Sequence, residues 1–553
     1  MSDNNNATGH QEFDYIIIGA GTAGCLLANR LSANPENRVL LIEAGGRDNY
    51  HWIHIPVGYL YCIDNPRTDW RFRTEPDPGL NGRSLIYPRG KTLGGCSSIN
   101  GMLYIRGQAR DYQQWAEITG EDAWNWDNCL PDFMRHEDHY RLDEGGDADP
   151  EHRKYHGHGG EWRVEHQRLK WKVLEDFATA CVEAGIPRTR DFNRGDNEGV
   201  DYFEVNQRSG WRWNTSKAFL RNAEKRSNLT LWHSTHVLGL ETENAGSGPR
   251  CVGVRVERSG GDDVIARAKR EVILSAGAIG SPQLLQLSGI GDPKELKRHG
   301  IEVKQALPGV GQNLQDHLSV GVEYERIGDG PFVGTLRWDR LLMSMAQAYF
   351  FGTGFATEMP GPLTGYIKTK EDLPQPDLQL LARFIPPESQ PWFPGYKPKP
   401  KDAFMVRPVV LHPKSRGELK LASANPADHA LIYQKFLSEP EDRALLREGI
   451  GIVKEIAGQK PLDTFRGPEI QPAGESLDDF IKRTAWTVHH PPGTCKMGPD
   501  SDPYAVLDEK CRVRGVEGLR VVDASIMPTI ISANTNITTI AMAEKAADLI
   551  LND

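Results

Sequence analysis

Residues 15–24 read Tyr15-Ile16-Ile17-Ile18-Gly19-Ala20-Gly21-Thr22-Ala23-Gly24. An apolar strand runs straight into glycines spaced G-x-G-x-x-G, and a helix follows with Leu26, Leu27, Ala28 and Leu31 on one side. Asn34-Pro35 and Asn37 make a turn, and Val39-Leu40-Leu41-Ile42 is a second buried strand ending at Glu43. This start predicts an α/β fold with a doubly wound parallel sheet. The glycines let a pyrophosphate approach backbone N–H groups at the positive end of a helix. Glu43, at the end of the second strand, offers its carboxylate to both hydroxyls of an adenosine ribose. An acid there, rather than an arginine, selects an unphosphorylated ribose and leaves NAD and FAD open.

Outward from this start, 553 residues amount to about three or four domain-sized units. The 65 basic against 75 acidic residues give a net charge of −10, which repels phosphate backbones and excludes a general nucleic-acid partner. No stretch of about twenty apolar residues exists, so no transmembrane segment is expected. Eight cysteines contain no C-x-x-C pair and no zinc-ribbon spacing, which points to reduced thiols. The polar start MSDNNNATGHQEF lacks a basic region and an apolar region, and reads as a short disordered tail on a cytoplasmic protein. The sequon at Asn228-Leu229-Thr230 is then a chance match.

Further on, 229–231, 252–256 and 271–274 are strand candidates around a polar loop near 243–249. Residues 328–474 change character: they are rich in Pro and aromatics, carry no phosphate-type glycine loop, and are assigned to a second domain that shapes a substrate pocket. A strand at Leu519-Arg520-Val521-Val522-Asp523 and a helix over about 538–551 close the chain.

The choice between NAD and FAD rests on the block from Pro88 to Gly107, PRGKTLGGCSSINGMLYIRG. Its glycines let backbone pass against a flat ring system, and Ser97, Ser98 and Asn100 offer hydrogen bonds to polar ring edges. With this block the chain resembles the glucose–methanol–choline (GMC) oxidoreductases. The similarity continues in GAIGSPQLLQLSGIG from Gly277, LPGVGQNLQDH from Leu307, HPPGTCKMG from His490 and VVDASIMP from Val521. It runs from about Asp14 to Leu551, and the blocks look closest to bacterial choline and alcohol dehydrogenases.

The resemblance implies FAD, bound by a Rossmann-like domain assembled from 12–160, 211–327 and 481–553. A substrate domain of sheet and helices would take 161–210 and 328–480. By the same analogy Gly19, Gly21, Thr22, Ala23, Gly24, Glu43 and Ala44 hold the adenosine diphosphate, with Val237 near the adenine. Leu93, Gly95, Asn100, Gly101, Met102 and Leu103 line the flavin, and Ala276, Asp523, Ala524, Asn534 and Thr535 complete the cofactor site. Some relatives tether the flavin through a histidine after the paired serines. Here that position is Ile99, so non-covalent FAD is expected.

An alcohol hydroxyl hardly ionises at neutral pH, so oxidation at its carbon requires a base within hydrogen-bond reach. Histidine suits neutral operation. By resemblance the base is His490, facing flavin N5, and Asn534 orients the alcohol. Asn536 is expected to cap the last helix. Neighbours in an extended loop point in opposite directions, so only one of His489 and His490 should face the flavin.

His152, His156 and His158 have metal-like spacing but lie in a polar Gly-rich loop without cysteine, and no metal is expected. No G-x-S-x-G elbow suggests a hydrolase. The apolar run 341–351 reads as a pocket or interface helix, with peripheral contact at a membrane surface as its alternative. A choline ammonium would need an aromatic cage or carboxylate, for which Trp392, Phe393 and Glu388 are candidates. The sequence thus predicts FAD-dependent oxidation of a primary alcohol, electrons passing to a quinone or dye-type acceptor, by a monomer or homodimer. The alternatives are an oxidase that uses O2, a hydroxynitrile-lyase-like activity on the same fold, and an NAD-linked dehydrogenase.

Overall fold

In the computed structural model the strand Gln11–Ile18, the helix Thr22–Leu31 and the strand Val39–Ile42 form the expected opening unit. The structure describes residues 11–143, 149–246, 248–258, 263–328, 330–358, 361–385 and 389–553. The start of the amino-terminal tail (residues 1–10) and Glu388 lie outside the described residues. Every residue of Val39–Ile42 is buried, as a strand covered on both faces requires. Gln11–Ile18 pairs in parallel with Val39–Ile42 on one side and with Asp263–Leu274 on the other. Leu229–Trp232 and Leu519–Val521 extend the parallel part.

Thr235–Asn244, Pro249–Arg258 and Asp263–Leu274 form an antiparallel meander that continues the same seven-stranded sheet. The sheet is therefore mixed. Polar residues alternate through the first half of Asp263–Leu274, which hid from the sequence reading how long this strand is.

A second, eight-stranded sheet runs in the order 466–471, 322–326, 403–410, 378–383, 363–367, 199–202, with 318–319 and 486–487 attached at its side. Leu378, Leu380, Phe404 and Val406 pack one face of it into a core shared with the helices Lys172–Glu183, Pro440–Ala457 and Leu477–Thr484. The segment division differs in detail from the sequence reading. Val322–Arg326, placed with 211–327, and Trp486–Thr487, placed with 481–553, both belong to the second sheet. Their backbone hydrogen-bond partners lie there, so a boundary set by glycine motifs misses them.

Candidate active site

Four parallel-sheet strand ends converge on one edge, where ligands of open α/β sheets bind. Gly19, Glu43, Ser275 and Asp523 follow these strands and all line a single cavity of about 530 Å³. Gly19 has φ +100°, and a Cβ there would sit 2.5 Å from the Ser275 carbonyl oxygen. A Cβ on Gly21 would meet nothing nearer than 3.9 Å, so its face is open to the cavity. Glu43 accepts from the N–H groups of Ala20 at 2.9 Å and Gly45 at 2.7 Å. Burial pushes its carboxyl up to about 7 despite those bonds.

Thr22, Ala23, Ala44, Gly95, Asn100, Gly101, Met102 and Leu103 line the same cavity, as do Val237, Ala276, Ala524 and Thr535. Gly95, at φ +51°, presses the second loop onto the first, because its Cβ would lie 2.7 Å from the Gly21 Cα. Gly24 and Leu93, also expected at the cofactor, do not line it. A Cβ on Gly24 would stand 1.9 Å from the Gly19 carbonyl, so this glycine serves helix–strand packing. Leu93 is buried in the core, and its backbone bonds Gly46 and Ser98. Ser97 and Ser98 are also spent internally, on Gly94, Thr215, Leu93 and Asn214. The buried Ser275 Oγ, Asn534 Oδ1 and Asn536 Nδ2 have no partner and border the cavity, which fits a polar dinucleotide.

At the other end His490 and Asn534 come together, with Asn534 Nδ2 at 2.9 Å from His490 Nε2. Behind them His317 Nε2 lies 3.0 Å from the Ile531 carbonyl oxygen, which only accepts, so Nε2 carries the proton. His317 Nδ1 is then an acceptor, and His490 Nδ1, 3.0 Å away, must donate to it. This bond network leaves His490 Nε2 unprotonated, and its lone pair accepts from the Asn534 amide at the cavity wall. Burial holds His490 well below the ordinary histidine range, helped by the neighbouring His317, Arg89 and His489. Burial likewise lowers His317 to about 3, so both rings are neutral.

The backbone is clamped as well. Asp316 accepts from the His490 N–H at 2.8 Å and from the Tyr87 hydroxyl at 2.6 Å, and Thr487 also bonds it. Asp111 accepts from the Ser532 N–H at 2.8 Å and fixes the loop that carries Asn534. Asn534 occupies the N-cap position of the helix Thr535–Asn552 without a capping side-chain bond. Asn536 is not the cap; its Oδ1 accepts from Thr22 Oγ1 at 2.8 Å.

His489 lines the cavity too, alongside His490. Its φ of +68° breaks the extended alternation. Burial, then the Arg89 and Arg407 charges, lower it to about 3. His317 was legible only as part of the LQDH block and Arg89 only as part of the block from Pro88, while Tyr59, Arg383 and Arg407 carried no motif at all. Trp392 packs against the second core and donates to the Val333 carbonyl, and Phe393 is 44 % exposed. Neither borders the cavity. The helix Trp338–Phe351 does not border it either, and Tyr349, Phe350 and Phe351 stand exposed on it. No helix among the described residues is long and apolar enough to cross a membrane.

Of the three histidines with metal-like spacing, His156 is buried between Asp191 at 2.8 Å and Glu137 at 3.4 Å. Arg106 already pairs with Glu137 at 2.7 Å. Burial opposes a proton on His156, but these carboxylates win and raise it to about 9. It sits in an ionic network with Glu137, Asp191 and Arg106. His158 is on the surface and His152 is buried nearby.

One cavity thus joins glycine loops at the ends of parallel strands to a buried, neutral histidine. Sequence comparison gives the family. Models described as GMC oxidoreductase match residues 13–319 and 413–543, and the chain belongs to this family of flavoenzymes. It is 40% identical over 551 residues to the oxygen-dependent choline dehydrogenase of Vibrio vulnificus (strain YJ016), spanning 98% of this chain and 95% of that one. An alcohol dehydrogenase [acceptor] of Pseudomonas putida is 38% identical over 549 residues, spanning 98% and 96%. Among solved structures, pyridoxine 4-oxidase from Mesorbium loti superposes with a TM-score of 0.85 at 30% identity, over 98% of this chain and 99% of the other.

Proposed function

We propose that the protein oxidises a primary alcohol to the aldehyde with FAD bound non-covalently in the cavity. Support comes chiefly from the chain of bonds Ile531–His317–His490–Asn534, which keeps His490 Nε2 unprotonated, engaged only by the neutral Asn534 amide, beside the glycine-lined end of the cavity. His490 Nε2 takes the hydroxyl proton, a step that requires the neutral ring. Asn534 Nδ2–H steadies the oxygen as it gains negative charge. His317 holds the tautomer, and Asp316 holds the backbone of the base. Bound FAD would supply the acceptor for the hydride that leaves the carbinol carbon.

The cradle residues named above would hold the dinucleotide, and Ile99, a buried hydrocarbon at the cavity wall, offers no atom for a covalent link. The names of the relatives support an alcohol substrate. Residues 328–480, with the second-sheet strands 199–202 and 318–326, would form the substrate side. Electrons would leave to a quinone or dye-type acceptor.

The test is the visible spectrum of the purified holoenzyme under nitrogen, before and after a panel of primary alcohols. The reading expects a flavin band that bleaches with aldehyde formed in equal amount. A band that persists with every alcohol overturns it. Admitting air afterwards separates a dehydrogenase from an oxidase by the speed at which colour returns.

A further inference from the structure

We infer that the alcohol this enzyme takes carries a carboxylate, held by the guanidinium groups of Arg383 and Arg407. This rests on the alcohol-oxidising reading above and names its substrate class. Both arginines line the cavity that holds His490. They sit on adjacent antiparallel strands of the second sheet, where Leu381 pairs with Arg407 and Arg383 with Met405. Residues 381, 383, 405 and 407 therefore share one face, and the two arginines are diagonal neighbours on it. The opposite face carries Leu380, Ala382, Phe404 and Val406 into the hydrophobic core. The alternation thus delivers two guanidinium groups to the cavity and hydrocarbon to the core.

Neither charge is answered by the protein. Among the described residues no carboxylate pairs with either arginine. Arg407 donates to one neutral group, Ser319 Oγ at 2.5 Å, and that hydroxyl is itself bonded to the Trp486 carbonyl. Arg383 has its Nε buried without a partner. Arg407 lies so deep that burial, followed by repulsion from Arg383, lowers it to about 10. Two like charges held together under a protein surface cost stability unless an anion compensates them.

The acidic residues that line the cavity do not supply one. Glu43 and Asp523 stand at the ends of the parallel strands, and Asp428 lies beside Pro426, whose carbonyl faces His236 next to Val237. All three belong to the dinucleotide end. Arg89, also at the cavity wall, adds a third positive charge near His489. A planar guanidinium grips a carboxylate with two parallel N–H···O bonds. A quaternary ammonium would be repelled by these arginines; Trp392 and Phe393 lie away from the cavity, and the aromatic residues that do line it, Tyr59, Phe203 and Trp486 among them, share it with the three positive charges.

The experiment uses the FAD-loaded enzyme and matched substrates: 4-(hydroxymethyl)benzoate and 6-hydroxyhexanoate, the methyl ester of each, and choline. We expect kcat/KM for each acid to exceed that of its ester by at least about tenfold, with choline poorest of all. In Arg407→Gln, and separately in Arg383→Gln, the acid-to-ester ratio should fall by about tenfold or more. Esters or choline oxidised better than the acids, or an unchanged ratio in both variants, overturn the inference while alcohol oxidation stands. Binding is read independently of turnover by titrating benzoate and benzamide against the flavin spectrum. Benzoate should bind at least about tenfold tighter than benzamide, and should lose that preference in Arg407→Gln. Should no alcohol bleach the flavin, the alcohol reading fails, and this titration alone decides the anion site. Equal affinities for benzoate and benzamide would then remove it.

Discussion

At the dinucleotide end of the cavity the wall is mostly backbone. Gly19, Gly21 and Gly95 bring chain against chain at distances no Cβ would permit, or leave an open face for a ligand. At the reaction end the wall is side chain: His490 steadied by His317, Asn534 on a helix tip, and arginines standing on alternate positions of two strands. A backbone wall is written in contiguous letters, because a tight turn before a helix needs glycines a few residues apart. A side-chain wall is assembled from positions 317, 383, 407, 490 and 534, which only the completed second sheet brings together.

The two ends should break differently. Gly24→Ala is expected to have the largest effect, since its Cβ meets the Gly19 carbonyl at 1.9 Å and the helix cannot retreat from a buried strand. We expect a loss of about 4 kcal/mol or more, read as a collapse of the urea midpoint or as insoluble protein. Gly21→Ala, with open space at its Cβ, should instead keep its midpoint and lose flavin affinity. Equal urea midpoints for the two variants would contradict the division between packing glycine and ligand glycine.

His317→Leu removes the acceptor that fixes the His490 tautomer. The rate of flavin bleaching by alcohol should drop about 100-fold, equivalent to about 2.7 kcal/mol, at unchanged flavin content. His317→Asn, whose amide oxygen can accept the same proton, should recover much of that rate. Equal loss in both variants would mean that His317 merely fills space.

The same contrast governs how legible each end is in the sequence. The opening strand–glycine–helix unit was legible because local geometry dictates its letters, and Glu43 with most of the residues expected at the cofactor meets it at one cavity. Gly24 and Leu93 were assigned to the cofactor because motif membership does not distinguish a residue that touches ligand from one that packs behind it. The backbone of His489 is left-handed, so strand alternation does not say where its side chain goes. Arg383 and Arg407 were invisible, since an arginine in an alternating strand ordinarily faces solvent.

Acid should separate the two ends more gently. His136, which ends the helix Trp126–His136 away from the cavity, and His317 are fully buried and lowered to about 3, chiefly by burial. In the unfolded chain each titrates near 6.5, so below that pH the unfolded state binds more protons. The stability these neutral rings contribute is present above about 6.5 and is lost as pH falls toward 3. Each should cost about 1.4 kcal/mol per pH unit in that window. The urea midpoint should therefore fall between pH 7.5 and 5.5, and His317→Asn should flatten the slope. Glu43→Gln, at the other end, keeps one acceptor oxygen. It should weaken FAD binding by about 1 kcal/mol, measured by flavin release on dilution.

The most direct test of the account is the anaerobic rate of flavin bleaching by a saturating alcohol in wild type and in His490→Ala. With His490 as the base, the variant should keep its flavin and its fold while the rate falls about 1000-fold. A variant that bleaches within tenfold of wild type would contradict the assignment of His490 and, with it, the proposed chemistry.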